Sequence, residues 1–235
     1  MMRMTILGLA LSLALSAAAS GSGGSTPDLV AVLPPPPAAG SLAAQHELQT
    51  VLGVQASRTP ADEAAARADN EHSVFRFADV FGSSFEAAKL PHTAALFARL
   101  VIYDKAAVKP AKIYWHHPRP PIVSAQVQPL AQEKADDWSY PSGHATLGYS
   151  EAVLLANMVP EKRAAIFARA DLYAQHRVVM GVHFPSDIEA GRLAGTVIGA
   201  DLLHDPDWQA DYEAARLELR AALKLPTTPP KDGPG

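Results

Sequence analysis

Residues 177–187 read Arg-Val-Val-Met-Gly-Val-His-Phe-Pro-Ser-Asp, and they place a histidine and a carboxylate at the start of a helix. His183 and Asp187 are four positions apart with Pro185 between them, and a proline at a first helical position turns the chain back. Asp187 can then reach the imidazole, fix its tautomer and leave the other ring nitrogen nucleophilic. The structural alternative is that Asp187 only complements the helix dipole.

The helix that follows this turn shows signals for its start and for close packing. Ser186 and Glu189 have the spacing of a capping box, in which each side chain bonds the other's backbone N–H. Glycines then recur at four-residue spacing, so one helix face is nearly smooth and a neighbour can approach closely. These glycines are Gly191, Gly195 and Gly199. Internal packing and an interface in a homo-oligomer are both open, whereas the charged residues on this helix disfavour membrane dimerisation.

A second segment, Pro141-Ser142-Gly143-His144, predicts an anion site at a helix N-terminus. Gly143 has no Cβ, so its backbone can approach a ligand closely. The helix start offers unpaired N–H groups and the positive end of a dipole, and His144 lies in the first turn beside the anion. An ordinary capped helix start with a chance histidine is the structural alternative.

Three cations complete the inventory of an anion site: Lys112, Arg119 and Arg177. Arginine matches phosphate oxygens with two parallel hydrogen bonds, and lysine acts as a point charge. Arg119 stands between Pro118 and Pro120, which stiffens its backbone and suits a positioned ligand. A solvated surface charge is the usual fate of lysine and arginine and is the alternative for each.

Metal and thiol chemistry are disfavoured by the composition. The chain has no cysteine, which excludes disulfides, thiolate nucleophiles, cysteine metal sites and a lipid anchor on an N-terminal cysteine. Its 9 histidines include the neighbours His116 and His117, but neither that pair nor His-x3-Asp has a known zinc spacing. We expect no metal and no cofactor, and we find no role for His116 or His117 beyond lining a loop.

The bulk composition fits one globular domain of moderate negative charge. The 235 residues are 48% hydrophobic, with a net charge of −4. Because no basic stripe or Lys/Arg-rich run is present, a nucleic-acid partner is not expected.

The N-terminus resembles an export signal. Arg3 precedes an apolar stretch of about ten residues, too short to span a bilayer, and Ala17-Ala18-Ala19 offers a cleavage site. We expect a signal peptide over 1–19, a Pro/Ala-rich surface extension over 20–45, an all-α domain over 46–226 and a flexible tail over 227–235. Cleavage removes Arg3 and leaves a charge of 19 − 24 = −5 on a periplasmic or secreted protein without a stable membrane anchor.

Helical periodicity dominates the rest of the chain, and no alternating strand pattern is longer than a few residues. Thr59-Pro60 is a helix start signal, and four prolines over 116–140 indicate a loop. The predicted helices cover 43–55, 62–80, 90–109, 144–158, 160–181, a segment from 186, and 208–224. The fold class is therefore all-α, in a single compact domain.

In their order and spacing, the three segments resemble the signature of the type 2 phosphatidic-acid-phosphatase (PAP2) superfamily, which also includes vanadium haloperoxidases. Tyr140 before Pro141, the run 177–187 and the proline-rich start are similar to the secreted bacterial class A non-specific acid phosphatases. The likeness is strong over about 90–205 and looser from about 30 to 90.

The resemblance implies a compact helical domain that hydrolyses small phosphate monoesters, with broad specificity, through a phosphohistidine. It implies His183 as the nucleophile, His144 as the general acid and base, and Asp187 as the group that orients His183. The phosphoryl oxygens would be bound by Lys112, Arg119, Ser142, Gly143 and Arg177. Phosphate and vanadate would act as inhibitors.

Two positions depart from the family pattern. His176 precedes Arg177 where the family usually has serine, and it could add a pH-dependent charge or pack elsewhere on its helix. Pro121 follows Pro120 where an aromatic residue is common, and we expect this exchange to alter the rim of the pocket.

Three other functions are weighed against an acid phosphatase. A vanadate-dependent haloperoxidase would use the same anion pocket, but this chain is short for it and shows no means of binding halide. A lipid-phosphate phosphatase would usually carry several spanning helices, and no predicted mature helix is apolar all round. A non-catalytic phosphate-binding protein is disfavoured because His144, His183 and Asp187 are all present.

Overall fold

The computed structural model describes residues 26–134 and 137–229, so the predicted signal peptide lies outside the described residues. Within these ranges the chain forms ten α-helices, two short 3-10 helices and no β-strand, which confirms the all-α prediction. The α-helices are α1 (Leu29–Val32), α2 (Leu42–Ser57), α3 (Pro60–Ala68), α4 (Ala78–Phe81), α5 (Pro91–Trp115), α6 (Pro120–Val123), α7 (Gly143–Met158), α8 (Arg163–Val179), α9 (Pro185–Leu202) and α10 (Pro206–Ala222). The 3-10 helices are Val74–Phe77 and Pro160–Lys162.

Helix α7 is the centre of the domain. Fourteen of its sixteen residues are buried, as expected for a helix that is largely apolar on every side. Helices α5, α8 and α9 pack around it, and α10 closes the far side of α5. The histidine at the start of α7 is therefore held by the most buried element of the fold.

The glycine face of α9 packs directly against α7. A Cβ placed on Gly195 would lie 2.2 Å from the Thr146 carbonyl oxygen, and one on Gly191 would lie 2.7 Å from the Ser142 carbonyl oxygen. Gly199 is as tightly placed, 2.7 Å from the Cβ of Val153. Of the two roles considered for these glycines, the structure shows internal packing, and it fixes α9 against the N-terminal half of α7.

The residues before α2 are packed more closely than a surface extension would be. Leu29 and Leu33 flank α1 and are buried in the main core, and Asp28 caps α1 by accepting N–H hydrogen bonds. The Tyr140 hydroxyl donates to the Pro34 carbonyl oxygen, beside the Pro141–His144 segment. The extension predicted as a surface segment therefore contributes to the core, while the boundary at residue 46 stays a prediction.

One predicted helix is divided. The chain leaves α3 at Asp69 and restarts at Val74 as a 3-10 helix, where the Ser73 hydroxyl accepts from the Phe75 N–H. The break frees Asp69 for ion pairs with other helices and brings Asn70 to the candidate site. The predicted helix over 62–80 was wrong because these tertiary contacts outweigh local helical preference.

The predicted capping box at Ser186 was also wrong. Phe184 occupies the N-cap position of α9, and the Asp187 carboxylate accepts from the Phe184 N–H at 2.7 Å. Ser186 instead donates its N–H and its hydroxyl to the Glu47 carboxylate, at 2.6 and 2.9 Å.

Within the described residues, no helix has both the length and the apolar character needed to cross a membrane.

Candidate active site

The three sequence segments meet at one cavity of about 610 Å³. Six of the eight predicted site residues line it: Lys112, Arg119, Gly143, His144, Arg177 and His183. The other two, Ser142 and Asp187, are fully buried directly behind it, and the Ser142 N–H donates to the Asp187 carbonyl oxygen at 3.0 Å. The predicted constellation is therefore assembled at one place.

The neighbours of His183 define its tautomer. Nδ1 lies 3.2 Å from Asp187 Oδ2, and Nε2 lies 3.0 Å from Arg119 Nη1. A guanidinium only donates and the carboxylate accepts, so we assign the proton to Nδ1 and the lone pair to Nε2. The nitrogen that faces the cations is thus the one that carries the lone pair.

A single oxygen of Asp187 carries all of its side-chain contacts. Oδ2 accepts from the Ser139 hydroxyl, from the Phe184 N–H and from His183, whereas Oδ1 is buried without a partner among the described residues. Burial raises the pKa of Asp187, against the hydrogen bonds from Ser139 and Phe184 that favour its charged form. Ser139 was missed by the sequence analysis, and its place just before Tyr140-Pro141 was the only available signal.

The surroundings of His183 favour its neutral form. Burial lowers its pKa well below the usual value, and the charges of Arg119, Lys112 and Arg177 lower it further. A lowered pKa keeps the Nε2 lone pair available to a lower pH than in a free histidine.

His144 begins α7 and lies against a second histidine. Its Nε2 donates to the Asn70 carbonyl oxygen at 3.1 Å, and its ring centroid is 3.9 Å from that of His72. Burial, then the charge of Arg177, lowers the pKa of His144 well below its usual value. A bound dianion would oppose that effect, because a negative charge favours the imidazolium form.

The three predicted phosphate-binding cations are paired with two carboxylates of one loop. We call residues 129–134 and 137–139 the acidic loop. Asp137 accepts from Arg119 Nη2 at 2.6 Å and lies 3.3 Å from Lys112 Nζ, while Glu133 accepts from Arg177 Nη2 at 2.7 Å. Loop carboxylates thus lie against the cations that were expected to bind phosphate.

The charge of Lys112 is sensitive to pH. Burial, then the charge of Arg119, lowers the pKa of Lys112 to about 8, although Asp137 partly opposes the shift. Burial raises the pKa of Asp137, but the charges of Lys112 and Arg119 outweigh it, so this pKa is lowered overall. Under acidic conditions Lys112 is therefore fully charged.

The start of α7 leaves space for a ligand. The Ser142 hydroxyl caps the helix by accepting from the Ala145 N–H at 3.3 Å. A Cβ placed on Gly143 would meet no atom within 4 Å, in contrast to the glycines of α9. The glycine at this position is consequently not required by packing, and its open side faces the cavity.

His176 points away from the cavity. Its Nδ1 lies 2.6 Å from Asp69 Oδ2, and Asp69 also accepts from Arg76 and Arg169. Although burial opposes the shift, hydrogen bonds from His176, Arg169 and Arg76 lower the pKa of Asp69 to about 2. Of the two roles considered for His176, the structure shows packing within an ion-pair network that joins α3 to α8.

The neighbouring histidines of the loop have structural contacts. His116 ends α5 in the left-handed region, with φ of 45°, and its ring contacts Trp138 edge-on. His117 lies between the rings of Tyr140 and Phe184. Across residues 26–134 and 137–229, no group of three or more His, Cys, Asp or Glu side chains is arranged to hold a metal ion.

Comparisons with known proteins place the chain in a family. The family model described as "PAP2 superfamily" matches residues 91–210. An acid phosphatase from Zymomonas mobilis is 33% identical over 211 residues, covering 86% of this chain and 79% of that protein. A non-specific acid phosphatase from Providencia stuartii is 30% identical, covering 84% and 82%.

A solved structure shares the fold. It is a transmembrane PAP2 type phosphatidylglycerolphosphate phosphatase from Bacillus subtilis, with a TM-score of 0.51 and 17% identity. The match covers 68% of this chain and 85% of that one. At this identity the likeness concerns the helical fold alone.

Proposed function

The chain belongs to the PAP2 superfamily and is a phosphoric monoester hydrolase, an acid phosphatase, and on that premise we propose that it works through a phosphohistidine formed on His183. The observation that carries this proposal is the pair of contacts on His183. Asp187 holds the Nδ1 proton, and Nε2 presents its lone pair beside the arginine that would bind the phosphoryl group.

In the first step, Nε2 of His183 attacks phosphorus and the bond to the ester oxygen breaks. The leaving oxygen takes a proton from the His144 imidazolium and departs as an alcohol. His144 Nε2 is bonded to Asn70, so Nδ1, which has no hydrogen-bond partner in the described part of the chain, is the nitrogen free to carry that proton. The products of this step are the alcohol and phospho-His183.

In the second step, His144 removes a proton from water, and the resulting hydroxide attacks phosphorus. The P–N bond breaks, inorganic phosphate leaves and the lone pair returns to Nε2 of His183. Both steps pass through a transition state with charge on three equatorial oxygens, and preorganised donors around them lower the barrier.

The donors are supplied by Lys112, Arg119, Arg177 and the N-terminus of α7 at Ser142 and Gly143. Arg119 must exchange hydrogen-bond partners for this, because its Nη1 contacts Nε2 of His183 and its Nη2 donates to Asp137. An incoming phosphoryl group replaces both partners with its own oxygens. Arg119 then bonds the transferring group and uncovers the lone pair of His183.

We further propose that the reaction needs no metal, that several small phosphate monoesters are accepted and that the mature enzyme is periplasmic or secreted. The buried cations and helix N-terminus supply the positive charge that phosphoryl transfer requires. The export signal predicted over 1–19 supports the location.

The test is hydrolysis of p-nitrophenyl phosphate at acidic pH by the purified protein, with and without a metal chelator, beside His183→Ala. We expect chelator-resistant turnover that falls by at least about a thousandfold in the variant, because the nucleophile is lost. A matched His46→Ala variant, on the exposed part of α2, should keep its turnover. Full activity in His183→Ala would overturn the assignment.

A further inference from the structure

The cavity is much larger than its phosphoryl end. Beyond His183 and the three paired cations, it extends along one face of α5, where residues recur at helical spacing. This face comprises Val101, Asp104, Lys105, Val108, Lys109, Lys112 and Ile113. Since the phosphoryl group occupies the inner end, this outer part is where the leaving group must lie.

Two lysines on this face differ from the three paired cations at the inner end of the cavity. Lys105 and Lys109 are exposed, and their side chains form no hydrogen bond or ion pair with any residue that the structure describes. Lys112, Arg119 and Arg177 are each paired with Glu133 or Asp137. The outer cavity therefore carries positive charge that the described residues do not neutralise.

The walls around these lysines do not compensate their charge. Asp104 is the acidic residue of the α5 face, and it is buried, with one oxygen accepting from the Ser150 hydroxyl at 2.6 Å. Burial raises the pKa of Asp104 to about 7, so this carboxyl is neutral in acid. His72 also lines this cavity, and burial, followed by the charge of Lys105, lowers its pKa to about 4.

We propose that Lys105 and Lys109 form a second anion subsite, which selects phosphate monoesters whose leaving group carries a further phosphate or carboxylate. At 1.5 Å rise per residue, Lys105 and Lys109 lie about 10 and 4.5 Å from Lys112 along the axis of α5. A second anion several bonds from the ester therefore reaches them while the first phosphoryl group is bound at His183. This subsite rests on the proposed function and names its preferred substrate class.

The experiment compares two esters that differ in one charge, phenyl phosphate and 4-carboxyphenyl phosphate, by kcat/KM at acidic pH above the carboxylate's own pKa. In the wild-type protein we expect the carboxylated ester to be favoured by about fivefold at low salt, the range of two exposed ion pairs. The preference should shrink at high salt, because exposed charges are screened.

The double variant Lys105→Gln/Lys109→Gln should bring the ratio of the two kcat/KM values to about one. Phenyl phosphate is the reference in every variant, and Lys89→Gln, a surface lysine paired with Glu86, should keep the wild-type ratio. A wild-type ratio near one, a preference for phenyl phosphate, or a preference that survives the double variant would overturn the subsite. In each of these cases phenyl phosphate turnover would leave the phosphatase function standing, whereas no turnover of either ester would overturn both.

Discussion

The helix pair α7–α9 and the acidic loop lie at the same cavity but are stabilised in different ways. His144 and Asp187 of the helix pair, and His183 just before α9, are fixed by buried packing. Gly191, Gly195 and Gly199 bring the two helix backbones together. In the acidic loop, Glu133 and Asp137 are partly exposed and are held by ion pairs to the cations.

On the proposed mechanism, this difference separates the two parts of catalysis. The proposed nucleophile and the carboxyl group beside it are already in place, so ordering them would cost no binding energy. The proposed anion-binding groups are instead paired with loop carboxylates, which substrate phosphate would replace. The comparison predicts large effects from changes to the helix pair and small ones from changes to the loop.

The largest effect is expected from breaking the helix contact with Gly195→Ala. The new Cβ would lie 2.2 Å from the Thr146 carbonyl oxygen, a backbone atom that cannot give way. We expect a loss of at least about 3 kcal/mol in the free energy of unfolding, measured by urea denaturation. Gly53→Ala, on an exposed face of α2 with no atom within 4 Å, should instead stabilise by about 0.5–1 kcal/mol. Equal stability of the two variants would refute the close-packing account.

An intermediate effect is expected from pH on anion binding. Lys112 is charged below its pKa of about 8, so the affinity for sulfate should be highest below that pH. Sulfate itself keeps a constant charge over this range. Binding should weaken as pH rises through about 8, by about tenfold at most per pH unit. The measurement is the inhibition constant of sulfate against pH.

Lys112→Arg should remove this alkaline limb, because the guanidinium stays charged. Lys89→Arg is the matched surface control and should retain it. If sulfate binding by Lys112→Arg weakens over the same alkaline pH range, the titration belongs to another group.

The smallest effect is expected from the acidic loop. Asp137→Asn removes a carboxylate that competes with phosphate for Arg119 and Lys112. The inhibition constant of phosphate should fall about threefold at low salt, as for a partly exposed ion pair. Asp211→Asn, which breaks a surface pair with Arg99, should leave it as it was. Weaker phosphate binding in Asp137→Asn would mean that the loop positions the cations instead of competing for them.

The sequence was sufficient to predict the helix pair because its signals are local. His183 and Asp187 lie within one turn, and the glycine spacing marks a smooth face wherever the partner helix lies. The local signals failed at Ser186 for two reasons. The Asp187 carboxylate caps the same helix start, and Ser186 donates instead to Glu47, which is far away in the chain.

The acidic loop could not be predicted in the same way. Glu133 is 44 residues from Arg177, and Asp137 is 18 residues from Arg119, with no periodic pattern between them. The predicted helix over 62–80 failed for a related reason, since Asp69 and Asn70 contact α8 about 100 residues later. Such pairings depend on tertiary packing, which local propensity does not report.

The most direct test of the central claim is to trap the covalent intermediate. Acid-labile phosphate on a histidine would be sought by rapid mixing with p-nitrophenyl phosphate, alkaline quenching and mass spectrometry of the peptide that contains His183. We predict phosphate on His183 in the wild-type protein and more of it in His144→Ala. p-Nitrophenolate leaves with little need of a proton from His144, whereas removal of the phosphate still needs the water that His144 is proposed to activate. Phosphate on another residue, or none during active turnover in either protein, would contradict the account.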